Sequence, residues 1–188
     1  MTPILGIMAS SMQGAVGDYQ SIATVTVGGA GSTSIDFTSI AGTYSHLQIR
    51  CLARASTGGA VDYHGLRMQL NGDTGTNYRA HYVGGTGAAA YAGASAAAAY
   101  IDNATFAAGS ANTANVFGVG VIDILNYASA NINKTVRSLH GMDSNNTYGA
   151  VELSSGLWFG TPAAVTSIKI YASVTIAQYS SFALYGIK

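Results

Sequence analysis

With 188 residues, no formal net charge and only 9% charged residues, the chain has room for one domain with a sizeable core. That composition excludes a charged disordered tail and a helical bundle rich in Glu and Lys, and the absence of any Lys/Arg run excludes a nucleic-acid footprint. Near-neutral surfaces repel copies of themselves weakly, which suits a protein built into an assembly.

Residues 1–17 precede the first clear strand. The opening Met1-Thr2-Pro3-Ile4-Leu5-Gly6-Ile7-Met8 is mildly apolar, lacks a basic region and is too short to span a bilayer. Neither a signal peptide nor membrane insertion is expected, and the segment reads as an N-terminal arm or as a floppy terminus. From Asp18 onward, period-2 alternation recurs and sustained helical periodicity does not. Gly28-Gly29-Ala30-Gly31 reads as the first hairpin. In Ser34–Thr38 the apolar side chains share one face, and in His46–Cys51 they alternate with Gln48 and Arg50. Cys51, the lone cysteine, falls in the apolar phase and reads as an inert core thiol. Leu66, Met68 and Leu70 oppose Arg67 and Gln69. Asn71-Gly72-Asp73-Thr74-Gly75 is a strong turn signal, because Asn and Gly tolerate positive φ.

The stretch from Gly84 to Ala99 is almost all Ala and Gly, and with its flank it reads as an Ala/Gly-rich loop at 84–110. Either it only connects strands, or it is a contact loop with Tyr82, Tyr91 and Tyr100 as surface contacts. Beyond it, Val119–Leu125 reads as a strand largely buried on both faces. Val151, Leu153, Leu157 and Phe159 form the apolar phase of a strand around Trp158, which points Glu152 outward. Ile168–Val174 and Phe182–Leu184 complete roughly eight to ten strands. The expected fold is all-β: one antiparallel β-sandwich domain over 18–188, jelly-roll-like or a related Greek key, with a short N-terminal arm.

No catalytic cluster emerges. Glu152 is the only glutamate. Asp62, Asp73 and Asp102 would have to converge at one rim to serve a glycosidase, and turn-forming Asp is the simpler reading. His46, His64, His81 and His140 lack metal-ligand spacing, although His64 and His81 read as lying on neighbouring strands. No calcium loop, nucleophile elbow, phosphate loop or dinucleotide fingerprint occurs. The expectation is a non-enzymatic protein with no catalytic residue, no metal and no cofactor. Twelve tyrosines suit either strands or contacts with proteins and sugars.

Several stretches, in this order, resemble small virion proteins of marine and cyanobacterial tailed phages. They are Ile4–Ser11, Ser21–Val27, Ile35–Ile40, Thr43–Arg50, Leu70–Tyr78, Val121–Ala128, Ser155–Trp158 and Phe182–Lys188. The resemblance implies a bacteriophage structural protein located on the virion, as tail fibre or capsid decoration. Its implied partners are other virion proteins and copies of itself in a homotrimer. Ile4, Leu5, Gly6, Ile7 and Met8 would dock it on the particle. The alternative is a host-attachment module that recognises a cell-surface glycan. No catalytic residue is carried over.

Overall fold

The computed structural model describes residues 18–59, 61–144 and 148–188. The expected arm at residues 1–17, with Ile4 to Met8, lies outside the described residues. Twelve strands follow in order: β1 (Tyr19–Thr26), β2 (Ser32–Phe37), β3 (His46–Ala53), β4 (Tyr63–Leu70), β5 (Tyr78–Gly85), β6 (Ala90–Ala98), β7 (Ile101–Ala108), β8 (Gly118–Leu125), β9 (Lys134–Asp143), β10 (Gly149–Trp158), β11 (Ile168–Ile176) and β12 (Ser181–Ile187). They form two antiparallel sheets. One has eight strands, ordered β1-β12-β3-β8-β9-β10-β5-β6, and the other four, ordered β2-β11-β4-β7. An all-β, two-sheet architecture is therefore observed.

Alternation builds the shared core. On β3, Leu47, Ile49, Cys51 and Ala53 are buried, while Arg50 and Leu52 are exposed. Phe182 and Leu184 on β12 and Ile122 and Ile124 on β8 extend the same layer. From the small sheet, Ile35, Leu66, Met68, Leu70, Ile168 and Ile170 meet it in one continuous cluster. Each such side chain stabilises the fold by about 1.5–3 kcal/mol on burial.

Two expectations about connections need correction, and one is met. The turn at Gly28–Gly31 exists, with Gly31 N–H donating to Gly28 O at 3.0 Å, but it is no hairpin. β1 pairs with β12, and β2 pairs with β11 in the other sheet. The expected turn at Asn71-Gly72 is present, with positive φ of 52° and 66°, and it passes the chain between sheets, from β4 to β5. The loop expected over 84–110 is instead mostly β6 and β7. Its glycines and alanines lie in strands because β6 gains a ladder with β5, a tertiary gain that outweighs weak β-propensity. The hairpin turns at Thr86–Ala89, where Thr86 N–H donates to Ala89 O at 3.0 Å and Gly87 takes φ 84°.

Two cations organise loops. Arg54 donates to the carbonyls of Ser110, Asn112, Thr113 and Val116 at 2.8–3.2 Å, tying the β7–β8 connection to β3. Lys134 is fully buried and donates to the carbonyls of Ser129 and Ile132, both at 2.6 Å. Burial pushes its ammonium below the ordinary lysine range.

Candidate functional site

The middle of β9 and most of β10 have their polarity reversed, with polar side chains buried and apolar ones exposed, and β8 and β5 flank them. Register places one residue from each strand of the large sheet in a single inward row: Val25, Phe182, Cys51, Gly120, His140, Glu152, Gly84 and Tyr91. It starts apolar and becomes polar. The neighbouring row carries Ile122, Ser138, Ser154, Tyr82 and Gly93. Glu152, expected to face outward, is 1% exposed. The phase of β10 is set by Trp158, which is buried and lies six residues along the strand from Glu152; equal parity sends both inward.

His140 Nε2 lies 3.3 Å from Glu152 Oε1, and both side chains are fully buried. Ser154 Oγ donates to the same oxygen at 2.9 Å. Glu152 Oε2, both ring nitrogens of His140 and the Tyr91 hydroxyl are buried without an aligned hydrogen-bond partner. Tyr91 reaches this group because Gly84 lies opposite it; a Cβ there would collide with its ring. Tyr82 crosses Gly93 in the same way. Burial, followed by the Glu152 charge, pushes the Tyr91 phenol up from its ordinary value. Phe106 of β7 meets the His140 ring edge-on, with centroids 4.2 Å apart. Cys51 Sγ lies 3.2 Å from Thr105 Oγ1, and burial pushes the thiol up to about 11, as an inert core thiol requires.

The opposite face of these strands is apolar. One outward row runs Arg50, Val121, Leu139, Leu153, Val83, Ala92, and the next runs Leu52, Val119, Gly141, Val151, Gly85, Ala90. Leu139 and Val151 are each 56% exposed, Val83 and Val119 53%, and Leu153 47%. β8 is thus buried on one face only, a correction to the expectation of two. Side chains of this size and exposure present on the order of 500 Å² of contiguous apolar surface, at the upper end for a monomer. Shallow depressions lined by Val119, Val121, Leu139, Val151 and Leu153 open on it. Of its cations, Arg137 is paired with a carboxylate, while Arg50 and Arg79, at the rim, keep their charge and lie beside aromatic rings. Arg137 bonds Asp123 at 2.8 Å, Arg50 lies 5.6 and 5.5 Å from the Tyr19 and Tyr185 rings, and Arg79 lies 5.2 Å from Phe159.

Tyr82 and Tyr91 are half-buried on the inner face, so they do not form an exposed patch with Tyr100. Tyr100 sits beside the small sheet, edge-on to Tyr171 at 6.2 Å and 4.4 Å from the Arg67 guanidinium. The three aspartates do not converge. Asp62 and Asp73 flank opposite ends of β4, roughly 25 Å apart at the rise of a strand. Asp73 accepts from Trp158 Nε1 at 2.6 Å, Asn77 Nδ2 at 3.0 Å and Gly75 N at 2.8 Å, and the Trp158 bond leads in holding its carboxyl below the usual range. Asp102 faces Arg67 at 4.0 Å. His64 on β4 and His81 on β5 belong to different sheets, so they are not on neighbouring strands. Among the described residues, no three His, Cys, Asp or Glu side chains are placed to hold a metal ion. Comparison of the chain with family models, with curated proteins and with solved structures finds no match.

Proposed function

We propose that this chain is a non-enzymatic structural component of a bacteriophage particle, a jelly-roll-like sandwich on the particle periphery that assembles by self-association. The observation that carries the reading is the apolar outer face of β8, β9, β10 and β5, set over a polar interior. A free monomer gains nothing from exposing leucine and valine while burying His and Glu. An assembled one does, because the face is then covered. A second copy is the fitting occupant. The face carries no unneutralised cation beyond its rim, the chain has no net charge, and the exposed apolar area approaches the core of a standard interface of about 800 Å² per partner. The resemblance adds the virion and the trimer.

The test is the mass of the full chain by light scattering over a hundredfold concentration range. The wild type is expected to assemble. Leu139→Lys with Leu153→Lys should keep the circular dichroism of the parent and lower the mass. A wild type that stays monomeric at high concentration, or a double variant of unchanged mass, would overturn self-association through this face. Detection of the chain in purified particles of its phage tests the virion assignment separately. Recognition of a surface glycan is the second reading, favoured by the half-exposed Tyr100, Tyr171 and Arg67 beside the small sheet. A glycan array on which Tyr100→Ala binds as the wild type does would remove it.

A further inference from the structure

The two sheets end in four edges, and they are not alike. β1 keeps continuous register with its neighbour for four residues, Ala23–Thr26, before a shift. β2 manages four, Ser34–Phe37, and β7 four, Thr105–Ala108, each before an irregularity. Such breaks twist an edge and protect it from pairing with another chain. β6 has its shift only beyond Ser95 and pairs with β5 without a break over six residues, Ala90–Ser95, the longest regular run of the four edges. None of its nine residues is charged and none is proline, so the usual guards of an exposed edge are missing.

The backbone of β6 shows what the edge offers. Thr86 and Ala89 are a hydrogen-bonded pair at the hairpin end. Antiparallel ladders alternate, so Tyr91, Gly93 and Ser95 bond inward to β5, whereas Ala90, Ala92 and Ala94 point their N–H and C=O groups away from it. The same three alanines are exposed on the outer face, where Ala90 and Ala92 end the apolar rows through Val151, Leu153 and Val83, and Ala94 ends the next row, through His81 and Ser155. On the inner side, Ser95 Oγ is buried without a hydrogen-bond partner.

We propose that β6 is a pairing edge whose partner is β6 of a second copy, joined antiparallel about a two-fold axis. A second copy fits for three reasons. Antiparallel pairs place same-face residues opposite, so alanine meets alanine without clash. An uncharged strand meets itself without repulsion. The apolar outer faces of the two copies then run on across the seam as one surface. This pairing is independent of contact through Leu139 and Leu153, and it requires the same chain to present two interfaces.

Proline at position 92 removes a donor that no intrachain bond uses, and prolines are tolerated at sheet edges. Ala92→Pro is expected to weaken association at least tenfold by light scattering, while Ala92→Val, which keeps the N–H, is not. If Ala92→Pro loses the parent circular dichroism, Ala92→Lys with Ala94→Lys takes its place, with the same tenfold loss expected. In wild type, the amides of Ala92 and Ala94 should exchange with solvent at least tenfold more slowly in the assembled form than in dilute monomer. The Leu139→Lys, Leu153→Lys chain should still dimerise and lose that dimer on addition of Ala92→Pro, which separates failure of the edge from failure of the face. Equal association of Ala92→Pro and Ala92→Val, or amide exchange that ignores assembly, would overturn the proposal.

Discussion

The large sheet contains two halves built on opposite rules. In β1, β12 and β3 the inner residues are Leu47, Ile49, Phe182 and Leu184, and the outward positions include Gln48 and Arg50. In β9 and β10 the inner residues include Ser138, His140, Glu152 and Ser154, and the outward ones include Leu139, Val151 and Leu153. The first half follows the ordinary rule, apolar side chains inward and polar ones outward. The second is ordered by its neighbours, with Trp158, Val136 and Ala150 holding the ends of the strands in phase. A burial pattern that is unfavourable for a monomer is thus carried by a pattern that is favourable, within one continuous ladder.

That contrast is open to direct attack. The largest effect should come from Glu152→Leu, which leaves His140 in the dry interior without its partner. Breaking a buried pair from one side costs about 3–5 kcal/mol, read as a lowered urea midpoint. His140→Leu combined with Glu152→Leu should recover most of that loss, since apolar replacement of both partners is often neutral. A double variant no better than the single would show that the pair is not what the strands are organised around.

Next in size, Leu184→Ala in the ordinary half should cost about 2–5 kcal/mol. Leu153→Ala in the reversed half should change monomer stability by less than about 0.5 kcal/mol. Equal losses would erase the distinction between the halves.

Asp73→Asn probes the clasp that fixes the end of β10, and weakening its charge-assisted bonds should cost about 1–2 kcal/mol. The carboxyl is held below its unfolded value, so the stability it contributes is present above the ordinary carboxylate range near pH ~4 and is lost as pH falls through the folded value. Wild type should therefore show a steeper acid decline than the variant in denaturation followed from pH 5 to pH 2.

The smallest effect concerns Tyr78, whose phenol burial pushes up to about 12. The unfolded chain releases that proton near pH ~10, and the folded chain keeps it, so stability falls as pH rises through this window. Tyr78→Phe should flatten the decline between pH 10 and 12, at a cost of roughly 1 kcal/mol for the bonds of its hydroxyl with Leu70. An unchanged alkaline slope would assign the decline to other groups.

The class of fold was legible because alternation is a local signal: Leu47, Ile49 and Cys51 announce their face in sequence and keep it in the sheet. The turn at Asn71-Gly72 was legible for the same reason, since its left-handed backbone demands those residue types. β6 was not, because Ala and Gly carry no strand preference and its existence depends on β5. The reversed half was illegible for a subtler reason. Alternation fixes which residues share a face and not which face is inside, and hydrophobicity alone chooses wrongly for Glu152. Trp158, bulky and in phase with Glu152, was the residue that could have decided it. The distribution of Tyr82 and Tyr91 follows from their opposing glycines, a pairing visible only once register is known.

The strand order also dictates when the molecule can be finished. β12 lies between β1 and β3, and β11 between β2 and β4. The first strands made in each sheet have to wait for the last, so neither sheet can close until residues 168–187 have left the ribosome. Long-range pairing of this kind slows folding. β1 and β2 stand as bare strands through most of synthesis, so a nascent chain held short of β11 should be the form most in need of a chaperone.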